Sequence, residues 1–449
     1  MSEGVSDRSV SDARLPEAGG GWRRWGWWLA AGLLLVAVWA LCFNRAVRER
    51  FDFHHFHLDA RYVWEHGQLN PDLDNAKPLK RRQLPFYLPA VSLLLAPVAF
   101  GGLKVAAGLW ATMETLSLGV GLWLLSRWVG ELRPGRRAGG MLGVAVAVSL
   151  YAVYEAARFN QLTLPVFAML LLGYAALERG RDVRAGFWLG LAALVKLLPA
   201  LLLVWLVLKR RWWAAGAMVA TVAAVAIVPC LIVFGPRQTL VYHEQWWVHN
   251  VEGPPAQSMA EDEVEGEEQL AEHFVDRHNQ SLPVVLSRLL SPTHPSRLSW
   301  QPVKLETATC VWIARGVLAA LVAGLLWRTR RAWGRLGPAE RRVEFAVYLL
   351  AMMVFAPLLR QYYLAWALPA VLLFVMMARG VVLTGRRRLG VAGVTVWLAG
   401  MALWAWEPAR VCGAHWLTLT VMGVLLLWAV AGRRADDAVT EPVRRAGPA

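Results

Sequence analysis

The sequence predicts an all-α, polytopic membrane protein with about ten to twelve helical passes. Three observations carry this. Of the 449 residues, 57% are hydrophobic and only 18% charged, where an ordinary soluble domain carries roughly a quarter charged residues. The apolar residues are gathered into runs long enough to cross about 30 Å of hydrocarbon. The basic residues fall in short clusters between those runs, the pattern of cytoplasmic loops.

The apolar runs lie at 27–43, 104–126, 138–155, 160–177, 185–208, 212–234, 305–327, 343–359, 362–379, 389–406 and 412–431. The formal charge of +15 would suit a nucleic-acid partner in a soluble chain. Here its distribution between apolar runs assigns it to loops, and no nucleic-acid partner is expected. Membrane lipids are. Trp22, Trp25, Trp27, Trp28, Trp212, Trp213, Trp246 and Trp247 stand at run edges, where amphipathic rings anchor in the interface. The four cysteines, Cys42, Cys230, Cys310 and Cys412, lie in or at the ends of apolar runs without metal-ligand spacing, so neither a disulfide nor a metal site is expected. The first run lacks a small-x-small cleavage site and reads as an uncleaved anchor.

Arg23 and Arg24 place the N-terminus inside, so 1–26 is a cytoplasmic tail, 27–431 the membrane domain and 432–449 a second cytoplasmic tail. The loop 127–137 (Arg127, Arg133, Arg136, Arg137), the loop 178–184, the Arg-rich 328–342, Arg386 to Arg388 and Arg433-Arg434 all fall inside. One stretch breaks the alternation. Residues 178–184 and Lys209-Arg210-Arg211 are both basic, yet a single apolar run joins them. Midway lies Leu194-Val195-Lys196-Leu197-Leu198-Pro199. An interior proline breaks a helix, and an intramembrane lysine is costly unless it faces a polar cavity. Residues 185–195 and 197–208 therefore read as a broken hairpin of two short helices with Lys196 near its outer apex. A single tilted span with one misplaced loop is the alternative. The outer loops are 44–103, with an interfacial or re-entrant piece at Pro85–Gly101, and 235–304, with the acidic run 261–268.

The chain has no G-x-x-x-x-G-K-[ST], no H-E-x-x-H and no strand-linked G-x-G-x-x-G, which removes the signatures of ATP-driven transport, zincin proteolysis and dinucleotide chemistry. The first outer loop opens with Asp52, a carboxylate just past a membrane exit and among aromatics, where its pKa can be tuned for base chemistry. Asp59 follows seven residues on, on the same helical face. A solvated interfacial helix is the plainer reading of both. His54, His55 and His57 share the segment without an evident partner cluster for a metal. Asn160-Gln161 opens a helix at the outer face, and Arg360-Gln361-Tyr362-Tyr363 separates two apolar runs there. Lys196 and Arg360 are two cations at the outer boundary, suited to a phosphate at headgroup level.

These residues, in this order, resemble glycosyltransferase family 87, the polyprenol-phosphate-mannose-dependent mannosyltransferases of the GT-C superfamily. The resemblance runs through Asp52 to Arg61 with Gly67, then Tyr87, Pro89 and Pro97, then Asn160 to Leu164. It continues through Arg179 to Pro199, Asn279 to Leu282, and Pro357 to Tyr363. Asn160 stands where the family usually has Gly, and Arg360-Gln361 where Trp or His is frequent. The resemblance implies a GT-C-type helical bundle in a bacterial plasma membrane, with its active site on the periplasmic or extracellular side. It implies a polyprenyl-phosphate-linked sugar donor, mannose by the family's habit, and a lipid or glycan acceptor. By the same likeness Asp52 would be the general base, with Lys196 and Arg360 on the donor phosphate. Asp59, Asn160, Gln161, Asn279, Gln280 and Tyr363 would bind substrate. It implies no cofactor, and nothing in the sequence supports a divalent ion. A flippase of lipid-linked sugars or a glycan ligase would share the topology. A transporter should show broken helices at matching places in two halves, and this chain shows one.

Overall fold

The computed structural model describes residues 20–48, 52–69, 87–132, 138–248, 278–291 and 303–445. The acidic run 261–268, Arg133, Arg136, Arg137 and the start of the N-terminal tail lie outside the described residues. Within them the chain is helical and without strands. In order, the helices are α1 (Gly20–Val47), α2 (Asp52–His66), α3 (Pro89–Leu95), α4 (Leu103–Leu132), α5 (Ala138–Val148), α6 (Leu150–Phe159), α7 (Thr163–Glu178), α8 (Asp182–Val195) and α9 (Leu201–Leu208). There follow α10 (Trp212–Trp247), α11 (Leu282–Leu290), α12 (Thr307–Arg328), α13 (Pro338–Val354), α14 (Leu368–Ala378), α15 (Arg387–Leu403), α16 (Glu407–Val411) and α17 (Ala414–Arg445). Short 3₁₀ segments precede α9 (Leu198–Ala200) and α14 (Gln361–Ala367).

Six helices among the described residues are long and apolar enough to cross a membrane alone, and α5 with α6, bent by 63°, make a seventh. The remaining passes of the expected bundle are shorter or interrupted: α7, the α8–α9 pair, α13 and α15. The expected span end at 234 coincides with a break in α10: Gly235 (φ 75°) is non-helical, and Pro236 starts a second helical stretch that continues to Trp247. The piece expected as interfacial or re-entrant is α3 with the 3₁₀ segment Ala96–Ala99, packed against α2.

Charge pairs mark one end of the bundle. Arg211, past the end of α9, is ion-paired with Asp182 at the start of α8, so the pair leaves and returns at one side as a hairpin. Lys209 is fully buried beside Glu344 of α13 and donates to the carbonyls of Thr329 and of Arg331 (2.8 Å) at the end of α12. Arg342 of α13 meets Glu131 of α4 and Glu178 of α7 (2.9 Å) and donates to the Trp128 carbonyl at 2.9 Å. Taking such charges out of water is affordable only when every donor finds a partner, and the network ties the ends of α4, α7, α9, α12 and α13 into one layer.

The hairpin packs between α7 and α10. Gly186 and Gly190 let α8 meet α10 backbone to backbone: a Cβ on Gly190 would stand 2.8 Å from the Met218 carbonyl. This is small-residue packing as membrane helices use it, and it explains Gly186 and Gly190 of the Arg179–Pro199 run.

Arg342→Met is expected to lower the thermal unfolding midpoint in detergent by several degrees. The cost should fall at the lower end of the ~3–5 kcal/mol for breaking a buried pair, since Glu131 is half exposed. Arg127→Met, which removes an exposed partner of Glu131 at 3.8 Å, should change stability by less than about 0.5 kcal/mol.

Candidate active site

At the opposite end of the bundle, four elements converge on one amine. Pro199 has no N–H to give the Val195 carbonyl, so α8 stops and Lys196 takes an extended backbone (φ −136°, ψ 129°). Its side chain is buried, 6% exposed. The Nζ donates to Gln161 Oε1 at 2.9 Å, and Gln161 Nε2 donates in turn to Asp52 Oδ2. A glutamine amide suits this place because it accepts from the ammonium while donating to the carboxylate. The ammonium also lies over the rings of Tyr362 (5.1 Å) and Tyr363 (4.7 Å), a cation–π enclosure that replaces part of its lost hydration.

Asp52 is the first residue of α2, where a carboxylate complements the positive end of the helix. Phe53 and Phe56 of the same helix pack on Trp110 of α4 and fix the entry of α2 over the bundle. Burial pushes the Asp52 pKa up to about 6 while Lys196 and Arg360 oppose it. Burial also raises Asp59, to about 7, and no hydrogen bond reaches its Oδ1. Arg360 is the extended residue that precedes the 3₁₀ segment bearing the two tyrosines, near enough to act electrostatically on Asp52. Tyr87, two residues before α3, packs against Phe56.

The structure therefore brings together Asp52, Gln161, Lys196, Arg360 and Tyr363. The other expected contributors stand behind them. Asn160 is left-handed (φ 50°, ψ 41°), a conformation that Gly or Asn adopts at least cost, and its buried amide donates to the Cys42 carbonyl at 3.0 Å. Asn279 Oδ1 accepts from the Ser281 and Leu359 N–H groups (3.0 and 3.2 Å), and Gln280 Nε2 donates to the Arg410 carbonyl at 2.8 Å. Those bonds hold the strap that leads into Arg360. Among the described residues no group of three or more His, Cys, Asp or Glu stands placed to hold a metal ion. A cavity of about 480 Å³ opens between His66, Gly67, Gln68, Val233, Phe234 and Gln238, at the other end of α2 from Asp52; Asp52 and Lys196 do not line it.

Sequence reasoning missed Glu114, a fully buried carboxylate in the middle of α4. The signal was there: a lone acid inside the run 104–126, where hydrocarbon penalises it.

The profile of glycosyltransferase family 87 matches residues 86–357, more than half of the chain. The chain belongs to this family. It is a membrane glycosyltransferase. It is also 25% identical over 419 residues, 88% of this chain and 84% of the relative, to a polyprenol-phosphate-mannose-dependent alpha-(1-2)-phosphatidylinositol mannoside mannosyltransferase of Mycobacterium tuberculosis. No solved structure matches it. The family segment includes Tyr87, Glu114, Gln161, Lys196 and Asn279, while Asp52 precedes it and Arg360 follows it.

Gln161→Leu, which strands the buried ammonium, is expected to destabilise the fold by about 1–3 kcal/mol, read as a lower unfolding midpoint in detergent. Gln161→Asn, too short to bridge, should lose about as much.

Proposed function

We propose that this glycosyltransferase moves mannose from a polyprenyl-phosphate donor to a lipid or glycan acceptor, with inversion, at the outer face of a bacterial plasma membrane. The observation that carries the proposal is the Lys196–Gln161–Asp52 bridge, a cation and a base held side by side where a lipid headgroup arrives. The relative's name supports the donor. The orientation rests on the basic end of the bundle being cytoplasmic, with both termini there and Lys196 at the far side.

Asp52 takes the proton of an acceptor hydroxyl as that oxygen attacks the anomeric carbon. The bond from the anomeric carbon to the phosphate oxygen breaks, and its electron pair leaves with the polyprenyl phosphate. Lys196 and Arg360 stabilise the charge that grows there. Phosphate leaves without needing a proton, so one carboxylate suffices and the anomeric centre inverts. Tyr363 and Gln161 border the sugar. Asn160, Asn279 and Gln280 hold the frame, and Asp59 lines the same helical face as Asp52. The reading assigns no cofactor and no metal.

Asp52→Asn is expected to abolish transfer from polyprenyl-phosphate-mannose in a reconstituted assay while donor binding persists; transfer at the wild-type rate removes Asp52 from the base role. Asp59→Asn is the companion variant and should retain transfer. A base must be ionised, so with a pKa of about 6 for Asp52 the wild-type kcat/KM should fall tenfold per pH unit below about pH 6 and level off above it. A profile flat down to pH 5 contradicts the assignment. Lys196→Met should raise the donor KM far more than the acceptor KM.

A further inference from the structure

The cavity of about 480 Å³ is walled on one side by His66, the last residue of α2, with Gly67 and Gln68 beyond it. The other wall is α10: Val233 and Phe234 stand before the break at Gly235 and Gln238 after it, so both helical stretches contribute. Gly67 (φ 64°) turns the chain back at the end of α2, in a conformation that glycine adopts at least cost. The walls are tied together just beyond. The Leu69 N–H donates to the Tyr242 hydroxyl at 3.3 Å, and the Tyr242 ring meets Phe234 edge-on at 5.1 Å.

The lining selects a ligand class. Gln68 and Gln238 each donate and accept, and so does the His66 ring, beside the one aromatic side chain of Phe234. None of the described residues that line the cavity is Asp, Glu, Lys or Arg. A phosphate calls for a cation and an acyl chain for apolar walls. Two amides, an imidazole and one ring suit a neutral polyhydroxyl group such as a sugar.

A polar track joins this cavity to the transfer site. Along α2, Asp52, His55, Asp59, Tyr62 and His66 recur at intervals of three and four, which places them on one helical face. That face flanks the stripe of Phe53, Phe56, Ala60 and Val63 that α2 buries against the bundle. It begins at the proposed base, passes Asp59, whose Oδ1 has no hydrogen-bond partner, and ends at His66 in the cavity wall. From Asp52 to His66 the helix rises about 20 Å.

We propose that the cavity is a distal saccharide subsite for the acceptor, whose headgroup is an oligosaccharide long enough to lie along α2 from His66 to Asp52. Phe234 and Gln238 are its specificity-determining residues: they hold a ring remote from the reacting hydroxyl and meet neither donor nor base. This deepens the transferase reading and rests on it. Binding energy gathered at the remote ring is spent on placing the terminal hydroxyl at Asp52, and a short acceptor reaches the base without that anchor.

The test uses the purified full chain, polyprenyl-phosphate-mannose, and a panel of lipid-anchored manno-, gluco- and galacto-oligosaccharides of increasing length. For wild type, kcat/KM should rise with acceptor length by about tenfold or more and level off once the headgroup spans about 20 Å. Gln238→Ala and Phe234→Ala should each raise the KM of the longest acceptor by about three- to tenfold, with the donor KM unchanged. Both should serve the shortest acceptor at the wild-type rate, which also shows them folded; if either fails to fold, the wild-type length series decides alone. A wild-type kcat/KM independent of acceptor length, or variants that keep the wild-type KM for the longest acceptor, overturn the proposal and leave the transferase reading intact. Wild-type protein that transfers to no member of the panel overturns both.

Discussion

A lysine ammonium held away from water is the constraint on which the rest of this structure turns. Moving such a charge into a low-dielectric interior costs several kcal/mol unless it is matched by compensating contacts. Here the compensation comes from separate parts of the chain: the Gln161 carbonyl, the carboxylate of Asp52 behind it, and the faces of Tyr362 and Tyr363. Each lies on a different element, so the charge cannot be satisfied until α2, α7, the hairpin and the segment before α14 have come together. Burial of Lys196 is therefore both a requirement of the site and a check on its assembly.

The geometry that delivers the amine is built at the far end of the bundle. Asp182 and Arg211 close the base of the hairpin, and Lys209 and Arg342 lock α9, α12, α13, α4 and α7 into one charged layer. Close packing at Gly186 and Gly190 holds α8 against α10, and the missing N–H of Pro199 decides where α8 ends. On the site side, the Asn279 amide and the Gln280 backbone N–H pin the strap before Arg360. Trp366 Nε1 donates to the Thr163 carbonyl at 3.0 Å, joining the tyrosine segment to the start of α7. Together these contacts hold Asp52, Gln161 and Lys196 in one fixed arrangement at the end of the bundle opposite the charged layer.

Much of this was legible in the sequence because membrane insertion makes charge expensive. Two basic clusters on either side of one apolar run, with Lys-x-x-Pro between, favour a hairpin over a single tilted span, and the Arg211–Asp182 pair at the base of α8 and α9 agrees with the hairpin. Asp52, Gln161, Lys196 and Arg360 were legible for the same reason, as polar groups at boundaries. What was not legible was direction. The family resemblance implies that Asn160, Asn279 and Gln280 face substrate, and in the structure their side chains bond backbone carbonyls and N–H groups. A residue type shows which bonds a side chain can make, not which partner is nearest. The 63° bend between α5 and α6 lies inside one continuous apolar run, which gives no sign of it. Glu114 escaped because a single carboxylate barely lowers the hydropathy of a long run.

The account stands or falls on Gln161 and Lys196 acting as one unit. A double-mutant cycle in polyprenyl phosphate affinity, using Gln161→Leu, Lys196→Met and the double variant, measures this most directly. The account predicts that the double variant binds no more weakly than Lys196→Met alone, since the amide acts through the amine. Losses that simply add would contradict it, placing the two side chains in separate sites.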